Sequence, residues 1–454
     1  MPLPITIRTR IVAAAGLLAT VIGAAAPAPR SADLAFSDTR LKNGLRVIIA
    51  EDHSAPVYTI AISYNVGSRD ERRGRTGFAH LFEHMMFKGS ENVGNGEHFT
   101  LVFNNGGNMN GTTNKDRTVY YETLPTNQLD LGLYLEADRM RSLVITKDNL
   151  DNQRNAVQEE RRLGVENQAY GRTFEAIDSL AYSNFAYSHS VIGSMADLNA
   201  ASVEDVTAFF RTYYAPNNAV LAIVGDVKTA DVLARVRKQF EGIPAQQAPP
   251  PVDMNEPAAS GEKRIALEDA LARATRLDIS YMVPPSSSAD DAALTVLSTV
   301  LSGGRSSRFY EQVVRQQQLA TSVNAGKGES RGPGLFGVSI MVAPGKQPAD
   351  AEKAVMDEIE KLKAAPPAEW EMDKARASAQ RAAISQQESS LARAVLMSQY
   401  ALFYDEPGRI NTRVGRIKAV TAADVQRVAQ QYLTVNNRSV IQTNPKPAAG
   451  RGGQ

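Results

Sequence analysis

The apolar positions of this 454-residue chain follow two different periods. Segments 202–214 and 349–364 repeat apolar residues every three or four positions, as amphipathic helices do. Segments 45–50 and 276–283 are short and largely apolar, which is typical of strands. Because strands in neighbouring runs are joined by long helices, the pattern predicts an α+β fold with mainly antiparallel sheets covered by helices.

One part of this pattern occurs twice. Five residues in the first half recur in the second half with the same spacing of 219 positions: Asp205, Val206, Tyr213, Asn217 and Asn218 recur as Asp424, Val425, Tyr432, Asn436 and Asn437. Each set forms a helical pattern that leads into an apolar strand. We therefore expect two homologous domains, since single hydrophobic cores usually stop growing well below this chain length.

The predicted domains are 34–241 and 263–445. Between them, 242–262 is rich in Pro, Ala and Gln and lacks apolar periodicity, which indicates an extended linker. The tail 446–454 consists mostly of Pro, Gly and Ala and is predicted to be disordered.

The first 25 residues have the pattern of a secretory signal peptide. Arg8 and Arg10 precede an apolar run that starts at Ile11, and small residues follow it. We expect cleavage after Ala25 and a periplasmic or secreted location; an uncleaved membrane anchor is the alternative. No other stretch is apolar enough to span a membrane, so no stable anchor is expected.

Charge and composition narrow the chemistry. There are 50 basic and 49 acidic residues, so no basic excess is available for a nucleic-acid backbone, and we expect no nucleic-acid partner. The chain has no cysteine, which excludes disulfides and thiolate metal sites. Any metal must be bound through histidine and carboxylate.

The clearest chemical motif is HLFEH at residues 80–84. In a helix that Thr76 could cap and Gly89 could end, His80 and His84 lie one turn apart and can converge on one ion. Glu83 lies beside them, where a general base for water would stand. Helical histidines often only pack or face solvent, but H-x-x-E-H is the inverzincin signature. Iron or copper could use the same imidazoles; zinc fits a site of two histidines and one carboxylate better.

A third ligand is required, and a predicted helix over 150–164 offers two candidates. Glu159 and Glu160 are adjacent, and the apolar period does not choose between them. The alternative is a solvated helix face in which both acids pair with Arg161 and Arg162.

At this point the chain resembles the pitrilysin and mitochondrial processing peptidase family in its two-domain bacterial form. Beyond HLFEH, the resemblance is carried by GLRVIIAEDHSAPVYTIAISYNVGSRDE, NMNGTTNKDRTVYYETLP, RNAVQEE, SHSVIG and LSGGRSSRFYEQVV. It implies that zinc is held by His80, His84 and Glu160, the last lying 76 positions past the second histidine. It also implies two domains that form a clamshell.

The resemblance further implies a function. We expect a zinc-dependent endopeptidase that hydrolyses oligopeptides or unfolded segments through zinc-bound water, with Glu83 as general base. In the family, the strand with the N-x-x-T element pairs with an extended substrate, so Asn110 and Thr113 become candidate substrate-binding positions. An ordinary edge strand protected by polar residues is the alternative.

Two departures from the family pattern affect this prediction. Gln153 stands where many relatives carry an acid that supports a ligand. In the second domain, Val314 and Thr321 stand where active relatives place an Arg and a Tyr that stabilise the oxyanion, although Arg315 is adjacent. We therefore expect a heterodimer whose homologous subunit supplies the Arg and Tyr pair, or a homodimer.

Two other functions remain open from the sequence. The chain could be a non-catalytic peptide-binding or scaffold subunit of a peptidase complex, or a secreted protein with a structural metal site. The remaining histidines have simpler interpretations: His53 and His98 as surface or loop residues, and His189 as a residue that holds local structure.

Overall fold

The computed structural model describes residues 33–446, so the predicted signal peptide and residues 447–454 of the predicted tail lie outside the described part. The strands are β1 Ser37–Arg40, β2 Arg46–Glu51, β3 Val57–Tyr64, β4 Asn108–Thr113, β5 Thr118–Pro125, β6 Ala219–Gly225, β7 Lys263–Asp269, β8 Arg276–Val283, β9 Ala320–Lys327, β10 Gly334–Val342 and β11 Arg438–Pro445. The helices are α1 Phe78–Met85, α2 Glu97–Asn104, α3 Leu129–Ser142, α4 Lys147–Arg161, α5 Gly171–Ala181, α6 Met195–Asn199, α7 Val203–Tyr213, α8 Thr229–Phe240, α9 Asp291–Ser302, α10 Pro348–Ala364, α11 Glu369–Ser385, α12 Ser390–Tyr404, α13 Arg409–Lys418 and α14 Ala422–Tyr432.

The strands form two sheets with the same strand order, except that the first sheet has the additional edge strand β1. The first has the order β1-β2-β6-β3-β5-β4 and the second β7-β11-β8-β10-β9. Neighbouring strands are antiparallel except for the pairs β2 with β6 and β7 with β11, which are parallel. The predicted α+β fold with two homologous domains is thus confirmed, and each sheet is mixed with an antiparallel majority.

The spacing of 219 residues holds for whole elements as well as for single residues. It relates β3 to β8 at both ends, α7 to α14 at both ends, and the first residue of α3 to that of α10. Within the repeat, Asn218 Nδ2 donates to Tyr213 O at 2.8 Å and Asn437 Nδ2 donates to Tyr432 O at 2.8 Å. The repeated asparagines therefore join the end of a helix to the start of the strand that follows it.

Two helices are exchanged between the domains. The first residues of α5 and α12 are also 219 positions apart, yet α5 packs on the second sheet and α12 on the first. The hydroxyl of Ser63 on β3 forms a 2.8 Å hydrogen bond with that of Ser398 on α12. The hydroxyl of Thr173 on α5 forms a 2.7 Å hydrogen bond with that of Thr443 on β11. Each half thus covers part of the other's sheet, and β3 is buried on both faces.

Some element boundaries differ from those expected. Helix α1 is shorter than 76–89 because Gly77, with φ at 85°, precedes its first residue and Met86 follows its last. Thr76 donates its hydroxyl to Asp197 at 2.5 Å instead of capping α1. Helix α4 ends at Arg161 and continues as a π-helical turn, Arg162–Glu166.

The segment that joins the domains is fastened to the protein surface. Val252 and Met254 pack against Tyr182 and Tyr187, and Asn184 Nδ2 donates to the carbonyl of Asp253 at 2.9 Å. Within residues 33–446, no helix combines the length and the hydropathy needed to cross a membrane.

The repeated asparagines provide a test of how the helix-to-strand connection stabilises the fold. Asn218→Ala leaves carbonyls of Tyr213 and Asn65 without their donor in a buried place, so we expect the free energy of unfolding to fall by about 1–3 kcal/mol. The neighbouring Asn217 is exposed and bonds the exposed backbone of Gln246, where water can replace it, so Asn217→Ala should cost clearly less than Asn218→Ala. Urea denaturation of both variants checks this, and equal losses would contradict it.

Candidate metal centre

Helix α1 has an apolar side and a polar side. Leu81, Phe82 and Met85 are buried, and the Phe82 ring lies 4.3 Å from that of Tyr214 and 5.5 Å from that of Phe209. These contacts fix the rotation of α1 about its axis. The other side of α1 therefore lies against α4 and the edge strand β4. His80, Glu83 and His84 all lie on α1.

The structure brings His80, His84 and Glu160 together. The two imidazole rings have centroids 4.8 Å apart, and Glu160 Oε2 lies 3.4 Å from His84 Nε2 and 3.6 Å from His80 Nε2. A tetrahedral zinc ion with bonds of about 2.0–2.1 Å places its ligand atoms about 3.3 Å apart. The two distances from Glu160 Oε2 therefore fit one shared zinc ion, and all three donor atoms lie within 4.8 Å of one another.

The structure also separates the two adjacent glutamates. Glu159 Oε2 accepts a hydrogen bond from Arg162 Nη1 at 3.0 Å on the solvated side of the chain. Glu160, one residue on, is rotated towards α1. The alternative of a purely solvated acidic pair thus describes Glu159 and not Glu160.

Electrostatics favours the protonation states that metal ligands need. Burial, and then the charge of His84, lowers the pKa of His80 to about 4, so its imidazole is neutral near pH 7. The contact with His84 lowers the pKa of Glu160, which is therefore a carboxylate.

Glu83 stands apart from the three donor atoms. Thr113 Oγ1 donates to Glu83 Oε2 at 2.6 Å, and burial raises the pKa of Glu83 above its ordinary value. The carboxylate approaches β4 where Gly111 has no side chain: a Cβ there would lie 3.2 Å from Glu83 Oε1. One oxygen is thus fixed, and among the described residues no hydrogen bond engages the other.

Strand β4 lies at the edge of the first sheet, with β5 as its partner there. Asn110 and Thr113, the two residues of the N-x-x-T element, point to opposite faces because they are three positions apart. Thr113 faces Glu83, whereas Asn110 is exposed and its Oδ1 accepts from Gly111 N at 2.8 Å. The structure does not bring these two side chains together, and the contact of Thr113 with Glu83 was missed from the sequence.

Gln153, the first departure from the family pattern, is buried and bonds a neighbouring side chain. Gln153 donates Nε2 to Asn152 Oδ1 at 2.5 Å. His80 Nδ1, also buried, has no hydrogen-bond partner among the described residues. Gln153 therefore does not orient His80.

The second departure lies in the second domain. Thr321 is on β9 and donates to Met341 O at 3.3 Å, while Arg315 forms an ion pair with Glu311. Within residues 33–446, no hydrogen bond or ion pair joins Thr321 or Arg315 to Glu83 or to the three donor atoms. Neither residue therefore contributes a hydrogen bond or an ion pair to the described centre.

The other three histidines have different surroundings. His53 is exposed and bonds Asp226 at 2.6 Å, and His189 bonds Glu71 and the carbonyl of Phe185, as expected of a surface and a local structural residue. The prediction for His98 was wrong, because His98 is 4 % exposed. It lies on α2 and contacts the buried Glu122 at 3.2 Å, a partner on β5 that no local pattern reveals.

His98, Glu122 and Glu136 form a second group of side chains that could in principle hold a metal ion, and all three are buried. Burial raises the pKa of Glu122 to about 8 and lowers the pKa of His98 to about 3, so both are largely neutral at pH 7. Both oxygens of Glu136 accept from Arg139. This cluster is thus already neutralised by a buried cation and is poorly suited to a metal ion.

Another buried acid, Glu71, was not recognised as part of the centre. Its carboxylate accepts from Gly77 N at 2.9 Å and from Ala79 N at 2.7 Å, at the start of α1. The position of an acid just before the motif helix is the signal that could have identified it, since carboxylates are favoured at helix N-termini.

The chain matches two models of one protein family. Residues 46–194 match "Insulinase (Peptidase family M16)" and residues 200–379 match "Peptidase M16 inactive domain". His80, Glu83, His84 and Glu160 all lie in the first match.

The chain is also similar to individual proteases over most of its length. The chain is 29% identical to the zinc protease PqqE of Helicobacter pylori over 89% of this chain and 92% of that protein. It is 25% identical to a probable mitochondrial-processing peptidase subunit beta of Arabidopsis thaliana over 87% of this chain and 76% of that protein. A crystal structure of a protease from Helicobacter pylori superposes with a TM-score of 0.86, at 28% identity, over 91% of this chain and 100% of that chain. The protein belongs to the peptidase M16 family, the pitrilysin and mitochondrial processing peptidase family, and contains both of its domains.

Proposed function

We propose that this protein is a zinc-dependent endopeptidase that hydrolyses oligopeptides or unfolded peptide segments. The observation that carries the proposal is the convergence of His80 Nε2, His84 Nε2 and Glu160 Oε2 beside a carboxylate that is not part of the donor set. A structural site would close its coordination with a fourth protein ligand, whereas these three donors leave a position open.

The donor set fits zinc. Two imidazoles and one carboxylate are ligands that zinc accepts, and their spacing matches a small tetrahedral ion. When bound, zinc would act as a Lewis acid that polarises the scissile carbonyl and makes water more acidic. His80, His84 and Glu160 would hold it.

Glu83 is the proposed general base. Thr113 fixes one of its oxygens, so the other can accept a proton from the attacking water and then pass it to the leaving amine. Its raised pKa suits both steps, because a carboxylate that holds a proton more tightly is a stronger base. Thr113 is then a residue that positions Glu83.

We propose that β4 binds the substrate. An extended peptide could add to the free edge of β4 by backbone hydrogen bonds, and this edge runs beside Glu83 through Gly111 and Thr113. Backbone pairing tolerates many sequences but requires an extended chain. Asn110, exposed on the opposite face of β4, is a candidate contact for the substrate or a partner.

The proposed partner is a homologous subunit that supplies an Arg and Tyr pair, or a second copy of this chain. The absence of both residue types at positions 314 and 321 supports it, and a relative is itself named as a subunit of a processing peptidase. With the signal peptide expected at residues 1–25, a periplasmic or secreted location is proposed.

The metal ligands can be tested with a matched pair of neighbouring acids. Glu160→Gln should weaken zinc binding by more than about 100-fold, since even a residue that only supports a ligand is worth about 10–100-fold. Glu159→Gln, which removes an exposed partner of Arg162, should leave zinc affinity unchanged. Competition with a zinc chelator measures both, and equal affinities in the two variants would refute the assignment.

The role of Glu83 separates an enzyme from a binding or scaffold subunit. Glu83→Gln should keep one zinc ion per chain and lower kcat for an oligopeptide by about 10²–10⁴-fold, because the base is lost while the ligands remain. Metal analysis and a peptide-cleavage assay check this. Wild-type protein that binds zinc and peptide but cleaves none, with or without a homologous subunit, would favour the scaffold function.

The partner proposal predicts that activity depends on a second chain. Purified alone, the protein should cleave an oligopeptide at least about 100-fold more slowly than with a co-expressed homologous chain carrying the Arg and Tyr pair, which is the value of one oxyanion donor. The homologous chain alone is the control. Full activity of this chain by itself would exclude a required partner.

A further inference from the structure

The start of α1 is anchored by a carboxylate that solvent does not reach. The Glu71 side chain has no exposed surface, and its two oxygens accept from Ala79 N and Gly77 N in the first turn of α1. Ala79 immediately precedes His80 in the chain. The position of the His80 backbone is therefore tied to Glu71 by a hydrogen bond one residue away.

His189 holds Glu71 from the other side. Its Nε2 lies 3.0 Å from Glu71 Oε2, and its Nδ1 lies 2.8 Å from the carbonyl oxygen of Phe185. The carbonyl can only accept, so Nδ1 donates, and the contact between Nε2 and Oε2 shares one proton. The Phe185 ring stacks on the imidazole with centroids 4.4 Å apart, which fixes the plane of His189.

The loop that carries His189 is in backbone contact with the start of α1. A Cβ at Gly77 would lie 2.6 Å from the carbonyl oxygen of Ile192, and a Cβ at Gly193 would lie 2.4 Å from that of Thr76. Gly77 also has a φ of 85°, which glycine tolerates best. The loop and the helix start thus form one packed unit with Glu71 between them.

His80 lacks the usual support of a metal-binding histidine. Such a residue normally donates its second ring nitrogen to a carboxylate or carbonyl, which fixes the ring. His80 Nδ1 is buried and has no such partner among the described residues, and Gln153 bonds Asn152 instead. The direction of the His80 ring therefore depends on where packing and the backbone of α1 place it.

We infer that Glu71 and His189 form a positioning pair that fixes the start of α1 and thereby aims His80 at the metal position. This inference rests on the proposed metal centre. Among the described residues, no hydrogen bond or ion pair joins this pair to the three donor atoms, so it acts through the first turn of α1.

The test compares two variants with a matched control. His189→Gln removes the bond to Phe185 or to Glu71, and Glu71→Gln removes the charge and one acceptor at the helix start. His53→Gln removes another histidine that is paired with a carboxylate, that of Asp226. His53 is exposed and follows β2, which three strands separate from β4. Zinc dissociation constants come from chelator competition, kcat and KM from oligopeptide cleavage, and folding from circular dichroism.

We expect both variants to weaken zinc binding by at least about tenfold and to lower kcat, with KM within about twofold and far-UV circular dichroism unchanged. His53→Gln should equal wild type. A folded His189→Gln or Glu71→Gln protein with wild-type zinc affinity would overturn the inference, even if it melted at a lower temperature. If Glu71→Gln did not fold, His189→Gln would decide the question.

The outcomes also separate this inference from the proposed function. Wild-type protein that binds zinc and cleaves peptide, with variants that match it, would remove the positioning pair and leave the proposed function intact. Wild-type protein that binds no zinc would remove both.

Discussion

The centre depends on α1 meeting two requirements with eight residues. One side of the helix must pack tightly enough to fix its rotation, and the other must carry His80, Glu83 and His84 to α4 and β4. So short a helix is marginal by itself, so its order comes from tertiary contacts. The aromatic contacts of Phe82 fix its rotation, and the carboxylate at its N-terminus fixes its position along the axis.

The two homologous domains differ in what they contribute: the first carries the candidate metal ligands, and the second packs against the sheet of the first. In the second domain, α9 packs against β9 and α11 as α1 packs against β4 and α4, but its sequence DAALTVLSTVLS has neither His nor Glu. All five histidines of the chain precede residue 190. The second copy therefore cannot build this centre. Through α12 it instead covers part of the first sheet, which carries β4.

The sequence predicts what is local and periodic. The helix and strand limits of β8, α7 and α10 were predicted within one residue, and the duplication follows from five identities. Whether Glu159 or Glu160 faces α1 depends on the rotation of α4 about its axis. Helix α4 ends in a π-helical turn, which the sequence pattern does not predict. The interpretation of His98 failed for the same reason: its partner Glu122 is distant in the chain, and burial of the pair is a tertiary property. The exchange of α5 and α12 is likewise invisible to periodicity, because either sheet would suit their apolar sides.

The three side chains that provide the donor atoms differ in exposure, which shows from which side solvent reaches the centre. The side chains of His80, His84 and Glu160 are 13%, 26% and 51% exposed, so the site is closed at the start of α1 and open on the side of α4. Glu83 is buried beside β4, and one of its carboxylate oxygens has no hydrogen-bond partner among residues 33–446. A peptide paired with β4 would therefore have its scissile bond between the base and the open side. Charge that develops on the carbonyl oxygen of such a peptide would then lie on the open side, whereas Thr321 donates to Met341 O and Arg315 pairs with Glu311. Under the proposed function, the groups that activate water belong to this chain, and the group that stabilises the oxyanion would come from the proposed partner subunit.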